Sequence, residues 1–156
     1  MKTTKLVFSL VVLFLMCVIY SNAAIDSSTL EALWMFDDGS GDTVTDSSGH
    51  ERHGTIQGGA EWTKDGKYGG ALELDGVDGE VVITGYKGIG GNTPRTTVVW
   101  YRTTKAGDQR LVCWGANATA KKYHVRLHDT NTLRVETQGG QLYANEPDLA
   151  DGEWHH

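Results

Sequence analysis

An acidic loop early in the chain has the residue types that bind calcium. We call residues 37–49 the Asp loop; its aspartates are Asp37, Asp38, Asp42 and Asp46. Calcium takes about six to eight oxygen ligands from carboxylates and backbone carbonyls of flexible loops. The loop is not an EF-hand, because Thr43 and Gly49 stand where that motif, counted from Asp38, needs glycine and glutamate. Asx-turns in a solvated loop are the alternative explanation of the same aspartates.

A second acidic stretch has a spacing that invites comparison with glycosidases. Glu73, Asp75 and Asp78 are spaced like the paired carboxylates of jelly-roll glucanases. A retaining glycosidase needs its two carboxyl groups about 5 to 5.5 Å apart, but Gly76 breaks the strand after Asp75 and Asp78 falls in a turn. No Gly-x-Ser-x-Gly nucleophile motif occurs either. We therefore expect no enzyme, and a secreted glycosidase is the alternative.

Aromatic residues close to turns are the candidate ligand-binding groups. They are Trp62, Tyr68, Tyr86 and Tyr143. Their rings combine an apolar body with a polar edge, which is typical of sites for polar ligands. Trp34 and Trp100 lie in apolar runs, and we expect both to pack in the core.

Histidine and cysteine point to structural roles. His124 and His128 share one face of a predicted strand, but four strand positions separate them by roughly 13 Å, too far for one zinc ion. We expect both on an exposed face. Cys113, in an apolar run, is expected to be a buried small hydrophobe.

The N-terminus predicts secretion. Lys2 and Lys5 precede an apolar run at 6–20, and small residues follow at 21–23. This is the layout of a signal peptide, and the run is shorter than the roughly 20 residues of a spanning helix. We expect residues 1–23 to be removed, residues 24–156 to form one domain outside the cell or at its surface, and no stable membrane insertion.

The charge of the mature chain excludes several partners. Without Lys2 and Lys5, 12 basic residues face 20 acidic ones, a formal charge of −8. Nucleic acids and anionic membranes attract basic surfaces, so neither is an expected partner. Calcium and neutral glycans are compatible with this charge.

The order of apolar residues and turns predicts an all-β protein. Short β-branched or aromatic runs recur about every eight to twelve residues with glycine-rich turns between them. The first strand is expected at 30–36, and the clearest strands are 96–102 and 123–128. Further strands are predicted at 71–74, 80–83, 110–114 and 132–137. Such spacing is typical of an antiparallel β-sandwich or jelly roll.

Several motifs, taken in order, resemble the laminin-G-like, concanavalin-A-like jelly-roll domains of secreted and surface proteins. They are Trp34-x-Phe36-Asp37-x-Gly39-Ser40-Gly41, Asp46-Ser47-Ser48-Gly49, His53-Gly54-Thr55, Gly69-Gly70-Ala71-Leu72-x-Leu74-Asp75-Gly76, Val98-Val99-Trp100-Tyr101 and Asp151-Gly152-Glu153-Trp154-His155-His156. The resemblance covers residues 30–156. It implies an antiparallel jelly-roll sandwich with further strands after the Trp-His-His segment, so we expect the domain to be incomplete.

The resemblance also implies a function. Domains of this kind that bind calcium at the Asp loop use an aspartate at the position of Asp46 with backbone carbonyls, and Asp37 is the second expected ligand. We expect a non-catalytic extracellular module that recognises a glycan or a protein surface, with calcium as a structural aid. A structural or adhesion spacer without a ligand of its own is a further alternative.

Overall fold

The structure, a computed structural model, describes residues 25–116, 118, 121–128, 132–137, 139–146 and 148–156. The predicted signal peptide at residues 1–23 lies outside these residues. In the part described, no helix is long and apolar enough to cross a membrane. The chain divides into two compact units, Met1–Glu31 and Ala32–His156. Within the first unit, a 3₁₀ turn at Ser27–Thr29 is capped by the side chain of Asp26.

The second unit is built from antiparallel β-strands. Their bounds are Thr43–Val44 (β1), Gly54–Gln57 (β2), Ala60–Thr63 (β3), Ala71–Leu74 (β4), Glu80–Val82 (β5), Tyr101–Arg102 (β6), Gln109–Gly115 (β7), Lys122–His128 (β8), Thr132–Thr137 (β9), Gly140–Asn145 (β10) and Trp154–His155 (β11). They form a sheet in the order β1-β2-β5, a four-stranded sheet in the order β10-β9-β8-β7, and the pairs β3-β4 and β6-β11. The predicted all-β, antiparallel class is confirmed, and the arrangement is consistent with a β-sandwich.

The four-stranded sheet has one apolar and one polar face, because side chains alternate along each strand. On β8, Tyr123, Val125 and Leu127 point to the apolar face and are 7%, 7% and 1% exposed. Their neighbours across β9 include Val135 and Leu133. This face is therefore a main part of the core, and it fixes which side chains of β8 and β9 point the other way.

Two predicted strands are mostly unpaired in the structure. The expected first strand, 30–36, keeps one bridge, between Trp34 and Asp46. Phe36 has φ of 59°, which ends the extended run. In the segment 96–102, the two residues that pair with a strand of the described chain are Tyr101 and Arg102, which pair with β11.

The expectation that Trp100 packs in the core is wrong. Trp100 is 39% exposed and Val98 is 63% exposed. Composition favoured a buried strand here, but a strand is buried only where neighbours cover it. Among the described residues, segment 96–100 lies outside every ladder.

Candidate functional site

Asp46 ties the Asp loop to the segment that precedes it. Its Oδ1 accepts hydrogen bonds from the amides of Leu33 and Ser48, both at 2.9 Å. Its Oδ2 accepts from the Ser48 hydroxyl at 2.8 Å and from the Arg52 amide at 3.0 Å. Burial alone would raise the pKa of Asp46, but the donors of Leu33, Ser48 and Arg52 outweigh burial and lower the pKa from 3.8 to about 2. Asp46 is thus a buried, ionised anchor for the loop.

The same bonds bear on the calcium prediction. An ionised carboxylate has about four acceptor sites, and the four donors at Asp46 use that number. A calcium ion at Asp46 would have to replace at least one of them. In the described ranges, no three His, Cys, Asp or Glu side chains cluster as metal ligands. Calcium binding stays a prediction, and the surroundings of Asp46 fit a structural role better.

Asp37, the second predicted calcium ligand, connects the start of the Asp loop to the Gly-Gly pair that precedes β4. Its Oδ1 accepts a hydrogen bond from the amide of Gly70 at 2.8 Å. A Cβ at Gly70 would come within 2.7 Å of the Phe36 carbonyl oxygen, so only glycine allows the two segments to approach this closely. The Gly-Gly pair before β4 therefore has a packing reason.

The four predicted binding aromatics have four different surroundings. Trp62 is half-buried and its Nε1 donates to the Gly41 carbonyl at 2.8 Å, which supports the Asp loop. Tyr68 is 78% exposed and lies edge-on to Trp100, with ring centroids 5.5 Å apart.

The other two predicted rings each lie against an arginine. The Arg52 guanidinium carbon lies 4.2 Å from the ring centroid of Tyr86, which is half-buried. Tyr143 on β10 is 48% exposed, and the Arg134 guanidinium carbon lies 5.3 Å from its ring centroid. Tyr143 therefore belongs to the charged cluster of the four-stranded sheet.

That cluster occupies the polar face of the four-stranded sheet. We define this polar face by Arg110 and Cys113 on β7, Lys122, His124 and Arg126 on β8, Arg134 and Glu136 on β9, and Gln141 and Tyr143 on β10. Cross-strand register brings them together: Arg110 is opposite Arg126, Arg126 is opposite Arg134, and Arg134 is opposite Tyr143. A row of three arginines thus crosses three strands and ends at an aromatic ring.

Glu136 is the centre of the polar face. Its side chain is 4% exposed, and Lys122 Nζ lies 2.6 Å from Oε2. Arg126 Nη2 and Arg134 Nη2 lie 2.7 and 2.6 Å from Oε1. The hydrogen bond from Lys122 and the charges of the two arginines outweigh burial and lower the pKa of Glu136 from 4.5 to about 2. Arg126 also contacts Asp108 at 2.6 Å.

Two expectations about this face were wrong. His124, expected on an exposed face, is 9% exposed, and its Nδ1 lies 3.8 Å from a carboxylate oxygen of the buried Glu136. Burial lowers the pKa of His124 despite the nearby Glu136 carboxylate, which favours the neutral ring. Cys113, expected to be buried, is exposed, because it lies on the polar side of β7 opposite His124.

A cavity of about 340 Å³ opens at one end of the polar face, where two hairpins turn. Its lining residues are Ala118, Lys122, Arg134, Glu136, Gly139, Gly140 and Gln141. Arg134 donates to the side-chain oxygen of Gln141. Arg134 Nε is buried and lacks a hydrogen-bond partner within the described residues. The cavity thus presents cationic and amide donors together.

Sequence reasoning missed Glu136 as a site residue, although a signal was present. Lys122, His124 and Arg126 alternate on β8, and Arg134 and Glu136 alternate on β9. The short connection between the two strands makes antiparallel pairing the natural prediction. The exact register was needed to place Glu136 between the three cations, and alternation alone does not give it.

Comparisons with known proteins support the fold and leave the family open. No protein-family model and no curated protein matches this chain. Its structure is similar to residues 221–444 of an S-layer domain-containing protein from Clostridium thermocellum, with a TM-score of 0.59 and 22% sequence identity. The match covers 80% of this chain and 61% of that one. At this identity the likeness shows the β-rich fold alone, and the laminin-G-like family is not confirmed.

Replacing Asp46 with asparagine tests its role as an anchor. An asparagine amide keeps one acceptor oxygen and turns an NH₂ donor towards backbone amides that are donors themselves. We therefore predict that Asp46→Asn lowers the free energy of unfolding by about 2 kcal/mol at pH 7. This is the free energy that corresponds to the lowering of the Asp46 pKa from 3.8 to about 2. Asp42→Asn, in an exposed part of the same loop, is the matched control and should change it by less than about 0.5 kcal/mol. Equal effects of the two substitutions in urea denaturation would contradict this role.

Acid should remove the stabilisation that Glu136 provides. Its pKa is lower in the folded chain than in the unfolded one, so the stabilisation is complete above pH 4.5 and is lost as the pH falls towards about 2. We predict that Glu136→Gln lowers the free energy of unfolding by about 3 kcal/mol at pH 7 and by much less near pH 3. Glu80→Gln, at an exposed strand position, is the control. A cost for Glu136→Gln that does not change with pH would argue against the charge network.

Proposed function

We propose that this chain is a non-catalytic extracellular recognition module whose binding surface is the polar face of the four-stranded sheet. The observation that carries the proposal is the combination on that face of an exposed ring, Tyr143, with a cationic cluster and an open cavity. Aromatic rings beside a few fixed polar groups are typical of sites for polar ligands. A glycan or a protein surface is the expected class of partner.

Two further observations support a setting outside the cell. Residues 1–23 have the layout of a signal peptide. The structural neighbour is named as an S-layer domain-containing protein, which favours a cell-surface or extracellular location. The chain spans 61% of that neighbour's length, so the partners of the whole protein are part of the proposal.

The hydrogen bonds of Asp75 and Asp78 support a structural role for two of the three glycosidase-like carboxylates. Asp75 Oδ1 accepts from the amides of Val77, Asp78 and Gly79 at 2.9, 3.2 and 3.0 Å. Asp78 Oδ1 accepts from the Gly59 amide at 3.0 Å. Asp75 and Asp78 therefore build the turn between β4 and β5, and these hydrogen bonds account for both carboxylates without a catalytic role.

A screen of the secreted chain against neutral polysaccharides, acidic polysaccharides and extracellular matrix proteins tests the proposal. We expect saturable binding to at least one of them without release of reducing sugar. Tyr143→Ala should weaken that binding, whereas Tyr68→Ala, which removes an exposed ring elsewhere, should not. Binding lost only with Tyr68→Ala would place the surface beside Trp100, and sugar release would support the glycosidase alternative.

Calcium enters this proposal only as a weak structural aid of the Asp loop, which the hydrogen bonds of Asp46 already hold. Because Asp46 is already bonded by four protein donors, we predict that the chain folds in EDTA and that millimolar calcium raises its melting temperature by less than about 2 °C, equivalent to well under 1 kcal/mol. Differential scanning calorimetry with magnesium as the control measures this. A larger, calcium-specific rise that Asp46→Asn abolishes would show that Asp46 exchanges a hydrogen bond for the metal.

A further inference from the structure

The row of arginines across the sheet is a costly arrangement that needs an explanation. Like charges directly opposite one another on neighbouring strands are destabilising, yet Arg110, Arg126 and Arg134 are consecutive cross-strand neighbours. Glu136 and Asp108 offset part of this charge through Arg126 and Arg134. Arg110 is exposed and has no ion pair within the described residues. The face keeps an excess of positive charge on a chain whose formal net charge is −6.

The chemistry of the face fits carboxylate groups. The cations of this face already bind one carboxylate: the ammonium of Lys122 and the guanidinium groups of Arg126 and Arg134 lie 2.6 to 2.7 Å from the oxygens of Glu136. Guanidinium forks match the planar carboxylate geometry. Arg126 Nε and Arg134 Nε are buried and have no hydrogen-bond partner within the described residues. Glu136 and Asp108 therefore leave two buried guanidinium donors unused.

The shape of the face fits a linear chain. Neighbouring strands are about 4.8 Å apart, so the three arginines span about 10 Å across the strands. The row continues to Tyr143, whose ring is 48% exposed and suits stacking against a sugar ring. Gln141 beside it offers an amide to hydroxyl groups.

We propose that the polar face binds a linear polysaccharide that carries carboxylate groups, with Arg110, Arg134 and Lys122 contacting the carboxylates and Tyr143 contacting a sugar ring. This inference rests on the proposed function and adds the ligand class to it. The ligand crosses the strands over the arginine row, and Arg134 lies both in this row and in the lining of the cavity at the hairpin turns. An anionic ligand also removes the like-charge repulsion along the row, so binding should raise stability.

Titration calorimetry with polygalacturonate in EDTA tests the inference on the secreted chain. Neutral dextran and poly-L-glutamate are the comparison ligands: the first lacks the charge and the second lacks the sugar ring. We expect binding to polygalacturonate that is at least about tenfold tighter than to either, and that weakens as salt screens the charges. Equal binding of poly-L-glutamate would show that the face recognises charge alone and overturn the polysaccharide assignment.

Variants that spare the Glu136 cluster identify the surface. Arg110→Gln and Tyr143→Ala change exposed side chains, and each should weaken polygalacturonate binding about three- to tenfold. Lys64→Gln, which removes the same charge at an exposed turn, is the control and should have no effect. Unchanged binding in both test variants would place the ligand elsewhere. No binding to polygalacturonate, with binding to a neutral glycan or a protein in the wider screen, would overturn the inference and leave the proposed function standing.

Discussion

The polar face of the four-stranded sheet depends on the ion pairs that the Glu136 carboxylate forms with three cations. Three cations contact a side chain that is only 4% exposed. Removing one partner of a buried charge cluster leaves the other charges uncompensated, which is costlier than the loss of a surface ion pair. Without Glu136, Arg126 and Arg134 would be held opposite each other with nothing between them. One anion thus allows a positively charged surface to form on an acidic protein.

Much of the fold follows from residue periodicity. The sequence predicted strands at 71–74, 80–83, 110–114, 123–128 and 132–137, and the structure has strands within one or two residues of each. These segments alternate clearly and are bounded by turn residues. The failures lie at 30–36 and 96–100, which have strand composition but little or no ladder in the described chain. Residue composition indicates whether a segment favours the strand conformation, but a strand forms only where a neighbouring strand pairs with it in register.

The site was harder to predict than the fold, for a physical reason that Asp46 and Glu136 illustrate. Aspartate in a glycine-rich loop suits calcium and backbone amides equally well. In the structure the amides of Leu33, Ser48 and Arg52 bond the Asp46 carboxylate, and its role as a calcium ligand stays a prediction. Glu136 lies in a predicted strand, but only the register places it between Lys122 and the arginines. Cross-strand register decided the role of Glu136. By contrast, the bonds from Ser48 to Asp46 and local turns such as Asp75 to Gly79 were predictable from neighbouring residues.

The most direct test of the binding face observes the arginine side chains themselves. Nuclear magnetic resonance resolves the Nε–H signals of individual arginines, with Arg95, outside the polar face, as an internal reference. Addition of polygalacturonate should shift the signals of Arg110 and Arg134 and leave that of Arg95 unchanged, since only the polar face contacts the ligand. Unchanged Arg110 and Arg134 signals, together with shifts in the rings of Trp62 or Tyr68, would contradict the account.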